Sequence, residues 1–221
     1  DKPALAGLWP NKKGMNIVLD LGANINCSEK NLIDFSEMGA ALYQSLFPNE
    51  KAKVALLNVG SEEIKGTELL KGTYTKLKKL DEMGDFKFYG YIEGNHITDG
   101  NCNVIVTDGF TGNVALKTAE GTANFLTDNL KQALSSNIFS KFSSILSYFA
   151  LQKFKNKLDP RKYNGAIFLG LKGPVVKSHG STDALGFSYS LDVCYKIAKG
   201  QMIDKIKLNL GHIKNINNEQ K

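Results

Sequence analysis

The chain has 221 residues, 42% hydrophobic and 23% charged, and a formal net charge of +6. That length carries one sizeable core, and the composition is ordinary for a globular protein. No apolar run is long enough to span a bilayer as a helix, and a cytoplasmic location is the expectation. Arg161 is the only arginine, so a phosphate site built on several arginine forks is excluded and lysine with backbone N–H groups must serve instead. Cys27, Cys102 and Cys194 are odd in number and form no CxxC pair, which argues against a disulfide framework or a zinc site. They are expected as small buried apolar groups.

The chain opens Asp1-Lys-Pro-Ala without methionine, as a processed or truncated product would. Strand and helix signals then alternate. Asn16–Asp20 reads as a strand running into Leu21-Gly-Ala-Asn24, and a helix follows from about Glu29 to Phe47, with Leu32, Phe35, Met38, Leu42 and Leu46 at helical spacing. Lys53–Val59 is the second strand; its loop, Gly60–Gly66, leads to a helix through Leu69, Leu70, Tyr74, Leu77 and Leu80. Lys87–Ile92 is the third strand, ending in Glu93-Gly-Asn-His96, and Val104–Thr107 is the fourth. Ala166–Gly170 is the fifth, followed by the loop Lys172–Ser181 and a last helix from about Asp183 to Lys199. Near-continuous apolar strands alternating with helices predict a parallel sheet covered on both faces. Its loops at the carboxyl ends of the strands form the edge where such sheets bind ligands, and Gly22–Asn24, Lys65, His96, Asn113 and His179 are expected to converge there.

Asp108-Gly-Phe-Thr-Gly-Asn113 is the most distinctive of these loops. It joins a strand to a helix starting near Val114, and its glycines bring backbone N–H groups close to a ligand at the positive end of the helix. Asp108, Thr111 and Asn113 add side-chain hydrogen-bonding groups. The arrangement suits a phosphate or a developing oxyanion, although glycine and asparagine serve a plain turn as readily.

Residues 130–158 break the alternation. This stretch reads as an amphipathic helical hairpin with Leu134, Ile138, Phe142, Ile145, Leu146 and Phe149 on one face and Lys141, Lys153, Lys155 and Lys157 around it. Such a face suits a membrane interface, a partner subunit or the chain's own core.

The segments Lys2–Ala6, Leu19–Asn24, Leu56–Gly66, Thr107–Val114 and Lys177–Asp183 together resemble the bacterial phosphate acyltransferases of phospholipid synthesis, in the family's order and across essentially the whole chain. The resemblance implies a Rossmann-like three-layer α/β/α sandwich with a mainly parallel sheet, related to phosphotransacetylases and isocitrate dehydrogenases. It implies a single α/β domain over 1–221 with the 130–158 hairpin as an insertion, lacking the family's N-terminal region with two further glycine-rich loops. The implied reaction converts acyl-acyl carrier protein and inorganic phosphate to acyl phosphate, feeding a downstream glycerol-3-phosphate acyltransferase. No cofactor, metal or nucleic acid is implied. Lys65 and Asn113 are the expected catalytic residues, joined by His179 as a hydrogen-bond donor or proton carrier. Gly22, Asn24, Gly60, Asp108, Gly109, Thr111, Gly112, Lys177 and Ser178 are expected around phosphate and the acyl group. The hairpin residues Ile138, Phe142, Ile145, Leu146 and Phe149 are expected at a homodimer or peripheral membrane contact. Local departures from the family pattern include Lys2, Tyr91, Asn95-His96 and Asn103. Two alternatives stand beside this one: a phosphotransacylase using coenzyme A, and an incomplete fragment that keeps dimer, carrier-protein or membrane binding without turnover. A nucleotide-binding dehydrogenase is poorly supported, because no G-x-G-x-x-G is present.

Overall fold

Apolar runs rich in valine, isoleucine and leucine become the central strands, and the longest helical periodicity becomes the helix buried against them. The computed structural model describes residues 2–82, 86–157, 159–180 and 182–219. In chain order the strands are β1 (Ala4–Asn11), β2 (Gly14–Leu19), β3 (Lys53–Asn58), β4 (Lys87–Glu93), β5 (Val104–Val106), β6 (Ala166–Leu169) and β7 (Val175–Lys177). The helices are α1 (Glu29–Leu46), α2 (Glu68–Asp81), α3 (Gly109–Ser135), α4 (Ile138–Leu146), α5 (Tyr148–Lys157), α6 (Ala184–Lys199) and α7 (Met202–Glu219).

The seven strands form one sheet in the order β4-β3-β5-β2-β1-β6-β7. The pairs β4–β3, β3–β5 and β5–β2 are parallel, whereas β1 runs against β2 and β6, and β7 runs against β6. β2 to β6 therefore all point one way, and only β1 and β7 oppose them. The carboxyl ends of β3, β5 and β2 lie side by side, with Leu56 opposite Val106 and Val106 opposite Leu19.

α1 holds the core together. A reciprocal Ser28–Asn31 capping box starts it, and Leu32, Phe35, Met38 and Leu42 are 0–2% exposed. Burying each such side chain contributes about 1.5–3 kcal/mol. α2, α6 and α7 share this face through Leu77, Val193, Ile197, Met202 and Ile206. The other face gathers Val18, Leu57, Ile92 and Ile105 under Ile97 and Cys102 of the segment between β4 and β5, with Leu116 of α3 beside them.

Two strands escape the sequence reading. β1 contains Gly7 and Pro10, which blur its period, and β7 is only three residues inside what reads as a loop. The expected hairpin at 130–158 is also differently bounded. α3 runs unbroken from Gly109 to Ser135, about 40 Å at 1.5 Å per residue, and two short helices follow it. Leu158, the expected end, lies outside the described residues. Only Gly109 and Gly112 of α3 are buried, so the helix leaves the body of the protein. α4 packs on α3 and α5 on α4. This arm exposes Ile138, Phe142, Ile145, Leu146 and Phe149, each by 62–85%. None of the helices, among the described residues, is long and apolar enough to cross a membrane.

Candidate active site

Three loops leave the adjacent carboxyl ends of β2, β5 and β3, and a polar side chain at the end of a strand organises each. After β2, Asp20 is fully buried. Its carboxylate accepts from the N–H groups of Leu5 (2.9 Å), Gly22 (3.3 Å), Ala23 (3.1 Å) and Asn24 (2.7 Å), and from Asn24 Nδ2 (2.8 Å). The same Nδ2 donates to Pro3 O at 2.7 Å. The Asn24 amide nitrogen is thus committed to shaping the loop rather than presented to a ligand. Gly22 has φ of 124°, a conformation that favours glycine, and a side chain there would meet Asn113.

After β5, Asp108 caps α3. Its carboxylate accepts from Thr111 N and Thr111 Oγ1, both at 2.8 Å. Gly112 N donates to Asp108 O at 2.9 Å and Gly109 N to Asn24 O at 2.8 Å. The N–H groups of Thr111 and Gly112, expected to face an anion, are therefore already used within the turn. Gly109 and Gly112 are needed for close approach. A Cβ at position 109 would sit 2.6 Å from Asn24 O, and one at 112 would overlap Asp20 O. What α3 does present outward is the Asn113 side chain and the Phe110 N–H, neither hydrogen-bonded among the described residues.

After β3, Asn58 is 8% exposed, accepts from Val59 N at 2.9 Å and donates to Lys65 O at 3.2 Å. Lys65 N closes the turn onto Glu62 O at 3.0 Å, and Gly66 takes φ of 90°. A side chain at Gly60 would meet the Glu62 carboxylate and the Lys65 stem, both on exposed side chains. Glu63 turns away from Lys65. It accepts from Tyr74 Oη at 2.7 Å and pairs with Lys78 at 3.3 Å. These partners hold its carboxyl below the usual range, while burial and Glu63 push the Tyr74 phenol up to about 12. The Lys65 ammonium is exposed and has no ion pair among the described residues. Lys65 and Asn113 thus stand on neighbouring loops at one edge, with β3 and β5 about 4.8 Å apart. An ammonium, a free amide and the positive end of α3 can hold an anion and stabilise a developing oxyanion.

Four expected members lie elsewhere. His179, Lys177 and Ser178 are carried to the opposite end of the sheet, because β7 reverses after Gly170 and pairs antiparallel, with Lys177 opposite Ala166 at the start of β6. There Asn164, 8% exposed, receives His179 N at 2.9 Å and donates to Ser178 Oγ (2.9 Å), Thr182 Oγ1 (2.9 Å) and Gly186 O (3.0 Å). His96 also departs. Its Nδ1 pairs with Asp99 at 2.7 Å, and Asp99 pairs at 2.6 Å with Lys12 in the β1–β2 turn, at the amino end of β2. Lys12 first, then His96, hold the Asp99 carboxyl low. Of the cysteines, only Cys102 is fully buried, and burial raises its thiol to about 12. Asp20 and Asn58, which organise two of the site loops, and Asn164, which organises the loop at the far end of the sheet, escape the sequence reading. Their one signal is a polar residue abutting a wholly apolar run.

A family model described as "Fatty acid synthesis protein" matches residues 1–205. The phosphate acyltransferase of Pelagibacter ubique (strain HTCC1062) is 63% identical over 210 residues, 95% of this chain and 63% of the relative. The phosphate acyltransferase of Albidiferax ferrireducens is 44% identical over 213 residues, 96% of this chain and 61% of the relative. The chain therefore spans about three fifths of the length of these relatives. Among solved structures, the EutD phosphotransacetylase from Staphylococcus aureus matches with a TM-score of 0.56 at 14% identity, over 91% of this chain and 55% of that one. A branched-chain phosphotransacylase from Enterococcus faecalis V583 matches with a TM-score of 0.54 at 14% identity, over 90% of this chain and 66% of that one. These likenesses establish a shared mixed α/β fold with a mostly parallel sheet. On the match over residues 1–205 and the identity to curated relatives, the chain belongs to the family of fatty acid synthesis proteins that includes the phosphate acyltransferases.

Proposed function

We propose that this protein transfers an acyl group from the thioester of acyl carrier protein to inorganic phosphate, releasing acyl phosphate for glycerol 3-phosphate acylation. The observation that carries the reading, in a chain of this family, is the pair of unengaged groups on adjacent loops, the Lys65 ammonium and the Asn113 amide. A phosphate oxygen attacks the thioester carbonyl carbon and forms the new C–O bond. The tetrahedral oxyanion collapses, the C–S bond breaks, and the thiolate takes a proton from solvent. Phosphate is already an anion, so no protein nucleophile is needed; the site has to position and neutralise. Lys65 offsets charge on phosphate and the oxyanion, and Asn113 donates to the oxyanion. Asp108 keeps the end of α3 formed.

The arm is assigned to assembly and docking. Its exposed apolar face and the absence of any acidic residue from Asn129 to Leu158 suit a second copy or an anionic membrane surface, where a poorly soluble acyl phosphate is handed on. The lysine excess suits an acidic carrier protein. The test is acyl phosphate formation, trapped with hydroxylamine, from palmitoyl-acyl carrier protein and from palmitoyl-coenzyme A. It uses this chain and this chain extended to the full length of the Pelagibacter ubique relative. Product from the carrier-protein thioester supports the reading. Product from coenzyme A alone moves it to a phosphotransacylase, and no product from the extended chain removes it.

A further inference from the structure

The carboxyl edge of the sheet carries a second feature besides Lys65 and Asn113. Five aliphatic or aromatic side chains on its loops and on the first turns of α3 stand in solvent: Ile25 (66% exposed), Val59 (80%), Ile64 (80%), Phe110 (62%) and Val114 (49%). Each is tied by position to the proposed reacting groups. Ile64 immediately precedes Lys65, and Val59 opens the same loop with its N–H held by Asn58. Phe110, Asn113 and Val114 are spaced i, i+3 and i+4 on α3 and so share one helix face. Ile25 follows Asn24, whose carbonyl accepts the Gly109 N–H at 2.8 Å, so Ile25 and Phe110 flank that hydrogen bond. The arm's exposed face lies further along, from Phe125 and Leu126 in the second half of α3 to Phe149.

We infer that these residues form the lane along which the acyl hydrocarbon lies, and that Ile64 and Phe110 set the preference for chain length. The inference rests on the activity proposed above. With the thioester carbonyl between Lys65 and Asn113, the hydrocarbon must leave over the residues next to them, and these are apolar where loop residues at a phosphate site would ordinarily be polar. Continuity with the reacting groups selects the occupant as the acyl chain rather than another protein surface. A chain covered on one side only gains about twofold per methylene, against about fourfold for full burial.

The test compares kcat/KM for octanoyl and palmitoyl thioesters of acyl carrier protein in the chain extended to family length, in the parent and in Ile64→Asn and Phe110→Asn. Because both side chains are already exposed, both variants are expected to unfold at the parent's temperature. The parent is expected to favour palmitoyl on the order of a hundredfold over eight methylenes. Each variant is expected to lower that ratio by about tenfold or more. An unchanged ratio in both variants overturns the lane, as does an unchanged ratio accompanied by a changed oligomeric state, which would make these residues a protein contact. If no thioester turns over, the proposed reaction fails, and calorimetry with octyl- and hexadecylphosphonate then decides the lane on its own. Tighter binding of the longer chain, lost in the variants, supports it; equal binding of the two phosphonates removes it.

Discussion

Asp20→Asn changes one atom type at a fully buried position and is the most informative perturbation of the site's scaffold. The carboxylate accepts from five donors, three on Oδ1 and two on Oδ2. An asparagine keeps the shape but must place its NH2 against one of those groups of donors. The less costly orientation puts it at Oδ2, where it loses the Asn24 N and Nδ2 donors and sets donor against donor. Asn24 Nδ2 retains Pro3 O, so the full penalty falls mainly on the Asn24 backbone N–H. Leaving buried donors unpaired costs about 1–3 kcal/mol each, and bonds to a charged acceptor are at the upper end, so a loss of about 2–5 kcal/mol is expected. That is a large share of the roughly 5–15 kcal/mol that holds a domain folded. Urea unfolding followed by circular dichroism would read it as a lower midpoint at constant slope. The loop that receives Gly109 and faces Asn113 would shift with it, so turnover should fall more than the folded fraction does. A variant within about 0.5 kcal/mol of the parent would refute the claim that Asp20 organises the loop.

Two further outcomes follow from other parts of the molecule. Burial and Glu63 raise the Tyr74 phenol from 10.0 to about 12, so its protonated form is favoured by folding. The corresponding stability is present below pH 10 and is lost as pH rises toward about 12; Tyr74→Phe should flatten that loss in thermal melts across this range, and an unchanged pH profile would contradict the assignment. On the arm, Phe142→Asp combined with Phe149→Asp should release the protein from anionic vesicles in a flotation assay while circular dichroism stays the same. Undiminished binding would show that this face does not dock on lipid.

The legibility of the fold follows from where the physics is local. β2, β3 and β5 are apolar runs buried on both faces, β4 and β6 are apolar runs covered more fully on one face than the other, and α1 carries its periodicity openly, so all of them read directly from the chain. β1 is interrupted by Gly7 and Pro10, and its strand conformation depends on Val18 and Phe168 lying across from Gly7 and Leu5. β7 is more instructive. Three residues give no period, and their antiparallel pairing with β6 carries His179 to the far end of the sheet, a non-local fact that no motif contains. The glycine loop after β5 was legible as a strand-to-helix turn, but the allocation of its N–H groups was not. A serine, threonine or aspartate at an N-cap takes the donors that an anion would otherwise receive, and Asp108 does so here. Lys65 and Asn113 are expected from the resemblance, and the structure sets their loops after the adjacent parallel strands β3 and β5. Asp20, Asn58 and Asn164 are not legible in the chain, because a buried polar residue reveals its partners only in three dimensions.

The central claim is that Lys65 and Asn113 act together on an acyl group and phosphate at the carboxyl edge of the sheet. The most direct measurement is hydroxylamine-trapped acyl phosphate formed from palmitoyl-acyl carrier protein, by the family-length protein and by its Lys65→Ala and Asn113→Ala variants. Both substitutions are at exposed positions and should leave the melting temperature in place. The account predicts that each lowers kcat about a hundredfold or more, as loss of a donor to a developing oxyanion does. Parent-like turnover in either variant would contradict it.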